Sequence, residues 1–312
     1  GEGGVKPIGF RPLPELNVAC SGLAISASKE QWLSVAVRAA DMIQQEKEQT
    51  LLDDPRKESL WHTQLKAGMG ALYDVFSEAP TLGSLINPGS IQGDFYRADY
   101  DKVAAILQET LSEGQSAEQQ EAAVVAHGLA KAAQLLAGKY NLVVTNVPYL
   151  SRGKQSEKLR KFCETHYSKA KNDLATVFLE RCLGFCAEAG TSSVVLPQNW
   201  LFLTTYKKFR EKLLKDDTWH LIARLGPQAF QTRMWDFNVQ LLTMSRGNVA
   251  GASSSGSQKQ KEPEQDAPAT LIRGLDVSEP RTAAEKAAEV TKCEIQTVEQ
   301  AAQLENPDAR IA

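Results

Sequence analysis

The chain of 312 residues is short of several things that define common protein classes. Its five cysteines, Cys20, Cys163, Cys182, Cys186 and Cys293, are odd in number and show no CxxC pair. That argues against a disulfide framework or a zinc site and fits a reducing, cytoplasmic setting. No uninterrupted apolar run approaches the roughly 18 residues of a membrane helix. No basic-plus-apolar leader opens the chain, so secretion is not expected. Excess charge is lacking too: 35 basic against 38 acidic residues give −3, so any affinity for nucleic acid must be local. There is no internal repeat. What is present, 42% hydrophobic residues, suffices for a substantial core and excludes a disordered, collagen-like or coiled-coil chain. The first residue is Gly1 rather than Met, which methionine removal or a fragment would each explain.

Along the chain, Leu16–Cys20 reads as a short strand closed by Ser21-Gly22. About 120 residues of helical character follow. Residues 29–49 align Trp32, Val35, Ala36, Ala39, Ala40 and Ile43, and residues 57–79 align Leu60, Trp61, Leu65, Met69, Leu72, Tyr73 and Phe76. Residues 81–89 have turn chemistry, and an Ala/Gln-rich helical stretch covers 98–138 with a break at Glu113-Gly114. Then the texture changes. Asn141–Thr145 and Ser192–Leu196 read as buried strands, His220–Leu225 and Val239–Met244 as two more. Helices are expected over 174–188, capped by Asn172 or Asp173 and ended by Gly190, and over 206–215. The class implied is α/β, with the parallel part of the sheet covered on both faces. Residues 247–270 have linker composition. The tail offers one short strand and a charged helix near 281–291. The expected division is therefore 1–28, a helical insertion over 29–138, an α/β half-domain over 139–246, a linker over 247–270, and the start of a following segment over 271–312.

The chemistry-bearing residues are Asn146-Val147-Pro148-Tyr149, directly after the strand at 141–145. A polar side chain, a rigid turn and an aromatic ring thus leave the carboxyl end of a strand, the edge where open α/β sheets bind ligands. An ordinary turn with a Pro stop is the bland alternative.

Leu142–Leu150 (LVVTNVPYL) resembles motif IV of the amino-group DNA methyltransferases, usually Asn-Pro-Pro-Tyr. The context agrees over roughly 140–246. Asn172–Glu180 (NDLATVFLE) resembles the helix that follows this motif, and Val194–Leu201 (VVLPQNWL) resembles the next strand and its exit. Asn146–Gln155 and Gly83-Ser84-Leu85-Ile86 are similar to the large adenine methyltransferases of BREX phage-defence systems, and type II restriction–modification fusion enzymes share part of the pattern. The resemblance implies a partial Rossmann-like methyltransferase sheet with a large helical insertion, S-adenosylmethionine as donor and flipped-out adenine in duplex DNA as substrate. It implies that the Asn146 side-chain oxygen and the Val147 carbonyl accept from the adenine amine and that Tyr149 stacks on the base. Val147 replaces the usual first Pro. A backbone carbonyl is what that position supplies, and Pro148 still biases Val147 toward extended backbone.

Seven basic residues lie in 151–171 (Arg152, Lys154, Lys158, Arg160, Lys161, Lys169, Lys171) against Glu157 and Glu164. That is a local +5, suited to DNA phosphates or to a solvated face. A second basic run, Lys207, Lys208, Arg210, Lys212 and Lys215, falls on an expected helix with the same two readings. Asp173 and Phe178 either face the donor pocket, as the resemblance implies, or cap and pack a helix. Gly93-Asp94-Phe95 and the turn at Cys20-Ser21-Gly22 are rivals for a place near the donor adenine, or plain turns. Cys182 and Cys186, at i and i+4, read as helix packing, and His62, His127, His166 and His220 lack metal-like spacing. No Gly-rich donor loop precedes Asn146, so the sequence reads as an internal piece, inactive alone, of a larger adenine methyltransferase. A protein glutamine N-methyltransferase and a non-catalytic DNA-binding or assembly fragment are the alternatives, and partner defence proteins are expected by association.

Overall fold

The computed structural model describes residues 17–20, 28–30, 32–34, 37, 55–90, 117–231, 237–247 and 269–311. The chain forms two compact units, Gly1–Ala137 and Gly138–Ala312.

The first unit is mostly helical where described. Helices α1 (Pro55–Ser77), α2 (Ala79–Leu82) and α3 (Ala117–Ala137) follow one another, with short 3-10 turns at Gly83–Leu85 and Pro88–Ser90. The expected apolar stripe is real in its second half: Met69, Leu72 and Phe76 are buried. Trp32 is buried beside them, and its indole N–H donates to the Met69 carbonyl at 2.7 Å. The loop expected over 81–89 is instead helical turns, because Pro80 pre-sets a helical first turn and Gly83 takes a positive φ of 51° to leave it. Asn17–Cys20 take no strand conformation. Leu16, the break at 113–114 and Gly93-Asp94-Phe95 lie outside the described residues.

The second unit is a six-stranded mixed sheet of order β1-β2-β4-β3-β5-β6. The strands are β1 (Tyr140–Asn146), β2 (Cys186–Pro197), β3 (Thr218–Gly226), β4 (Val239–Ser245), β5 (Leu271–Asp276) and β6 (Gln296–Glu299). Pairing is parallel for β1/β2 and β3/β5 and antiparallel for β2/β4, β3/β4 and β5/β6. Helices α4 (Glu157–His166) and α5 (Leu174–Phe185) join β1 to β2, α6 (Lys207–Asp216) joins β2 to β3, and α7 (Ala283–Val290) joins β5 to β6. Their starts follow capping rules. Ser156 accepts from Leu159 N–H, Asp173 from Ala175 N–H, and Thr282 with Glu285 forms a reciprocal capping box. Among the described residues no helix is long and apolar enough to cross a membrane.

Three expectations need correction. The helix expected to reach residue 188 ends at Phe185, and β2 begins at Cys186. Gly190 lies inside β2 rather than capping the helix: a Cβ there would sit 2.7 Å from the Tyr140 carbonyl oxygen, so only glycine permits this approach at the β1/β2 register shift. Second, β1 is not buried. It is the edge strand, and Leu142 and Val144 are 60% and 69% exposed, whereas Val194 and Leu196 on β2 are 1% and 0%. Third, residues 271–311 do not start a separate segment. They extend the same sheet by β5 and an unforeseen β6. Two buried side chains hold this extension. Fully buried Arg210 donates to the Ala309, Asp308 and Leu203 carbonyls at 3.0, 2.8 and 2.8 Å and also to that of Trp200. Gln300 accepts from Trp219 N–H at 2.9 Å and donates to the Leu214 and Asp217 carbonyls at 2.8 and 2.7 Å.

Candidate nucleic-acid interface and active site

Asn146 is the last residue of β1, and the chain turns there because Pro148 cannot extend a sheet ladder. The turn is tied down at both ends. Val147 is buried, and its N–H donates to the Val195 carbonyl on β2 at 3.3 Å. The Leu150 carbonyl accepts from Leu174 N–H at 2.9 Å and from the Gln155 side chain at 3.2 Å. Asn146, just before the first anchor, and Pro148, between the two, are exposed. The Tyr149 hydroxyl donates to Asn146 Oδ1 at 3.1 Å. Burial pushes that hydroxyl up to about 12, so it is a proton donor throughout the neutral range. The Tyr149 ring packs on a cluster formed by Ala223, Leu225, Val239 and Val277.

Sequence reasoning missed one aromatic side chain here. Phe237, just before β4, lies with its ring centroid 5.6 Å from that of Tyr149, the planes at 56°, and is 45% exposed. Its lone Phe-Asn context carries no signal by itself. Only the β3–β4 antiparallel pairing beside β2 brings it to the motif.

Asp173 and Phe178 are both on the α5 side of this turn. The Asp173 carboxylate accepts from Ala175 N–H at 2.9 Å, and Asp173 forms an isolated bridge with Ser151. Burial raises its carboxyl above the usual range, opposed by hydrogen bonds from the Ala175 and Leu150 backbone. It therefore holds the motif turn onto the start of α5. Phe178 is half-buried one turn further along.

The five basic residues expected to touch DNA differ in exposure and in partners. Arg152 is engaged: its Nε donates to Glu164 Oε1 at 2.9 Å, and its backbone N–H to the Asn172 carbonyl. That hydrogen bond, with the positive charge of Arg152, Lys171 and Arg160, holds the Glu164 carboxyl below the usual range. Lys154, Lys158 and Lys161 are exposed and Arg160 half-buried along the same loop and helix. Cys182 and Cys186 are buried, with the Cys186 thiol donating to the Cys182 carbonyl, and burial pushes the Cys182 thiol up to about 12. They pack the helix end.

Comparison with known proteins identifies the family. A family model described as Eco57I restriction-modification methylase matches residues 27–230, more than half of the chain. The adenine-specific methyltransferase PglX of Lacticaseibacillus casei (strain Zhang) is 34% identical over 105 residues, which is 33% of this chain and 8% of that protein. The adenine-specific methyltransferase BrxX of Escherichia coli O9:H4 (strain HS) is 30% identical over 156 residues, 50% of this chain and 12% of that protein. The chain thus spans about a tenth of the length of these curated relatives. Among solved structures, a DrdV–DNA complex matches with a TM-score of 0.41 and 17% identity, covering 57% of this chain and 19% of that one. A type I restriction-modification methyltransferase subunit from Streptococcus thermophilus matches with a TM-score of 0.36 and 14% identity, covering 59% and 45%. With its motif turn at the carboxyl end of β1 and its family match running through both elements that position it, the chain belongs to the Eco57I restriction-modification methylase family.

Proposed function

We propose that this chain carries the base-binding half of a site-specific adenine-N6 DNA methyltransferase acting in phage defence or restriction–modification. The observation that carries the reading is the convergence of Asn146 Oδ1 and the Tyr149 ring at the carboxyl end of β1. The exocyclic amine of adenine is a weak nucleophile because its lone pair is delocalised into the ring. Acceptors aimed at its N–H groups return density to nitrogen and orient it. Asn146 Oδ1 supplies one acceptor and the Val147 backbone carbonyl the other. The nearby Tyr149 and Phe237 rings offer the extruded base aromatic surface to replace its lost stacking.

S-adenosylmethionine, when bound, supplies an electrophilic methyl group. On this reading Phe178 faces the donor, while the Asp173 carboxylate positions the motif turn. Lys154, Lys158, Arg160 and Lys161 on this reading meet phosphates as DNA approaches the motif, with Arg152 bracing the loop through Glu164. On this reading the partners are duplex DNA and other defence-system proteins, in the cytoplasm.

The test is methyl transfer to duplex DNA by the intact protein with Asn146→Ala. Loss of one preorganised partner of the reacting group is expected to lower transfer by about 10²–10³-fold while DNA binding persists. Unchanged DNA methylation by the variant would overturn the mechanism. Transfer to a glutamine-bearing protein in place of DNA would overturn the substrate.

A further inference from the structure

A cavity of about 390 Å³ opens toward the opposite edge of the sheet from the motif, over β3, β5 and β6. Four strand steps separate β1 from β5, roughly 20 Å at ordinary strand spacing. Its floor is a bare peptide: a Cβ built on Gly274 meets nothing within 4 Å, so the space above that residue is unfilled. Buried Ile222, Ile272 and Ile311 make the apolar interior. Phe202 forms one wall, with the Arg224 guanidinium carbon 5.3 Å from its ring centroid. The rim is polar in both senses. Arg224 Nη1 pairs with Asp276 Oδ2 at 2.9 Å, the side chains 38% and 45% exposed, and Gln296 also lines the cavity. Residues 271–311 lie beyond the 27–230 span of the family match, so most of this cavity is built by the sheet extension.

A flat peptide floor beside an aromatic ring and a guanidinium plane accommodates a flat ligand. A rim with a donor at Arg224, an acceptor at Asp276 and both at Gln296 requires a ligand whose edge carries donors and acceptors together. A hydrocarbon would leave Arg224 Nε, buried without a hydrogen-bond partner, unmatched, and a simple carboxylate would meet Asp276 and Glu294. We propose that this cavity is a second, non-catalytic site that binds a nucleobase, taken from a free nucleoside or from a base extruded from DNA. The site is separate from Asn146 and does not depend on the methyltransferase reading.

Calorimetry on the 312-residue chain tests it, with Tyr149→Ala in the background to silence the motif. One arm titrates adenosine, guanosine, cytidine and thymidine. The other titrates a short duplex with a single extrahelical adenine against the fully paired duplex. Saturable binding of at least one nucleoside, or preference for the extrahelical duplex, is expected, and the arm that responds identifies the source. Gly274→Val places a β-compatible side chain on the floor and is expected to weaken that binding at least tenfold without lowering the melting temperature. Gly274→Ala is expected to give a smaller loss and serves if the valine variant does not fold. No binding in either arm, or full affinity retained in both glycine variants, overturns the proposal.

Discussion

Two segments of this chain have the same sequence character and different structural fates. Residues 151–171 and 207–215 are both rich in Lys and Arg on a short helix. In the first, Lys154, Lys158 and Lys161 remain exposed around a loop that leaves the motif. In the second, Arg210 is fully buried and donates to four backbone carbonyls, and Lys212 pairs with Glu180. Positive charge in sequence therefore does not tell which cations stay exposed and which the fold buries. What separates Arg210 from the exposed lysines is that several backbone carbonyls stand within reach of its buried guanidinium.

That contrast can be broken at its extreme first. Arg210→Met removes the donors of four carbonyls and is expected to cost more than about 3 kcal/mol, read as a fall in the denaturant midpoint. A loss under about 1 kcal/mol would erase the distinction. Lys154→Ala with Lys161→Ala is expected to leave stability within about 0.5 kcal/mol. The pair should weaken duplex binding across sequences and reduce the slope of log affinity against log salt by about 1 for each phosphate the lysines neutralise. An unchanged slope would reduce the patch to a solvated face.

The contrast is sharpened at the C-terminal end of α6, where buried Asp217 accepts from Gly247 N–H at 3.2 Å. Burial raises its carboxyl above the usual range, so the folded state holds the proton more tightly than the unfolded chain does. Its favourable contribution is present at low pH and lost as pH rises through the folded value. Asp217→Asn should raise the melting temperature by a few degrees at pH 7, the gap closing below about pH 4. The smallest effect belongs to exposed Lys215→Ala, expected within about 0.5 kcal/mol by the same denaturation measurement.

Much of the fold was readable because strands in this chain are short β-branched runs with clear stops. The four strands around 141–245 all appear, and Asn146 is the last residue of its strand. Burial was less readable. Asn141–Thr145 has the composition of a core strand, yet composition reports what a strand prefers as neighbours, and β1 has β2 on one edge only. The strand β6 escaped notice because Gln296–Glu299 has a single apolar residue, Val298, and is held by β5 rather than by its own pattern. Phe237 and the Arg210 anchor are juxtapositions across distant positions, invisible to any local window.

The hydrogen bond from the Tyr149 hydroxyl to Asn146 Oδ1 has a consequence for how a base would be admitted. The resting site does not leave its acceptor bare, so there is no desolvated oxygen awaiting a partner. An incoming amine on this reading exchanges one internal hydrogen bond for another, and the same exchange frees the tyrosine to pivot onto the ring that displaced it. Capture and stacking become one event. A phenylalanine at position 149 would keep the stacking surface but uncouple the two, leaving Asn146 to find its partner from water.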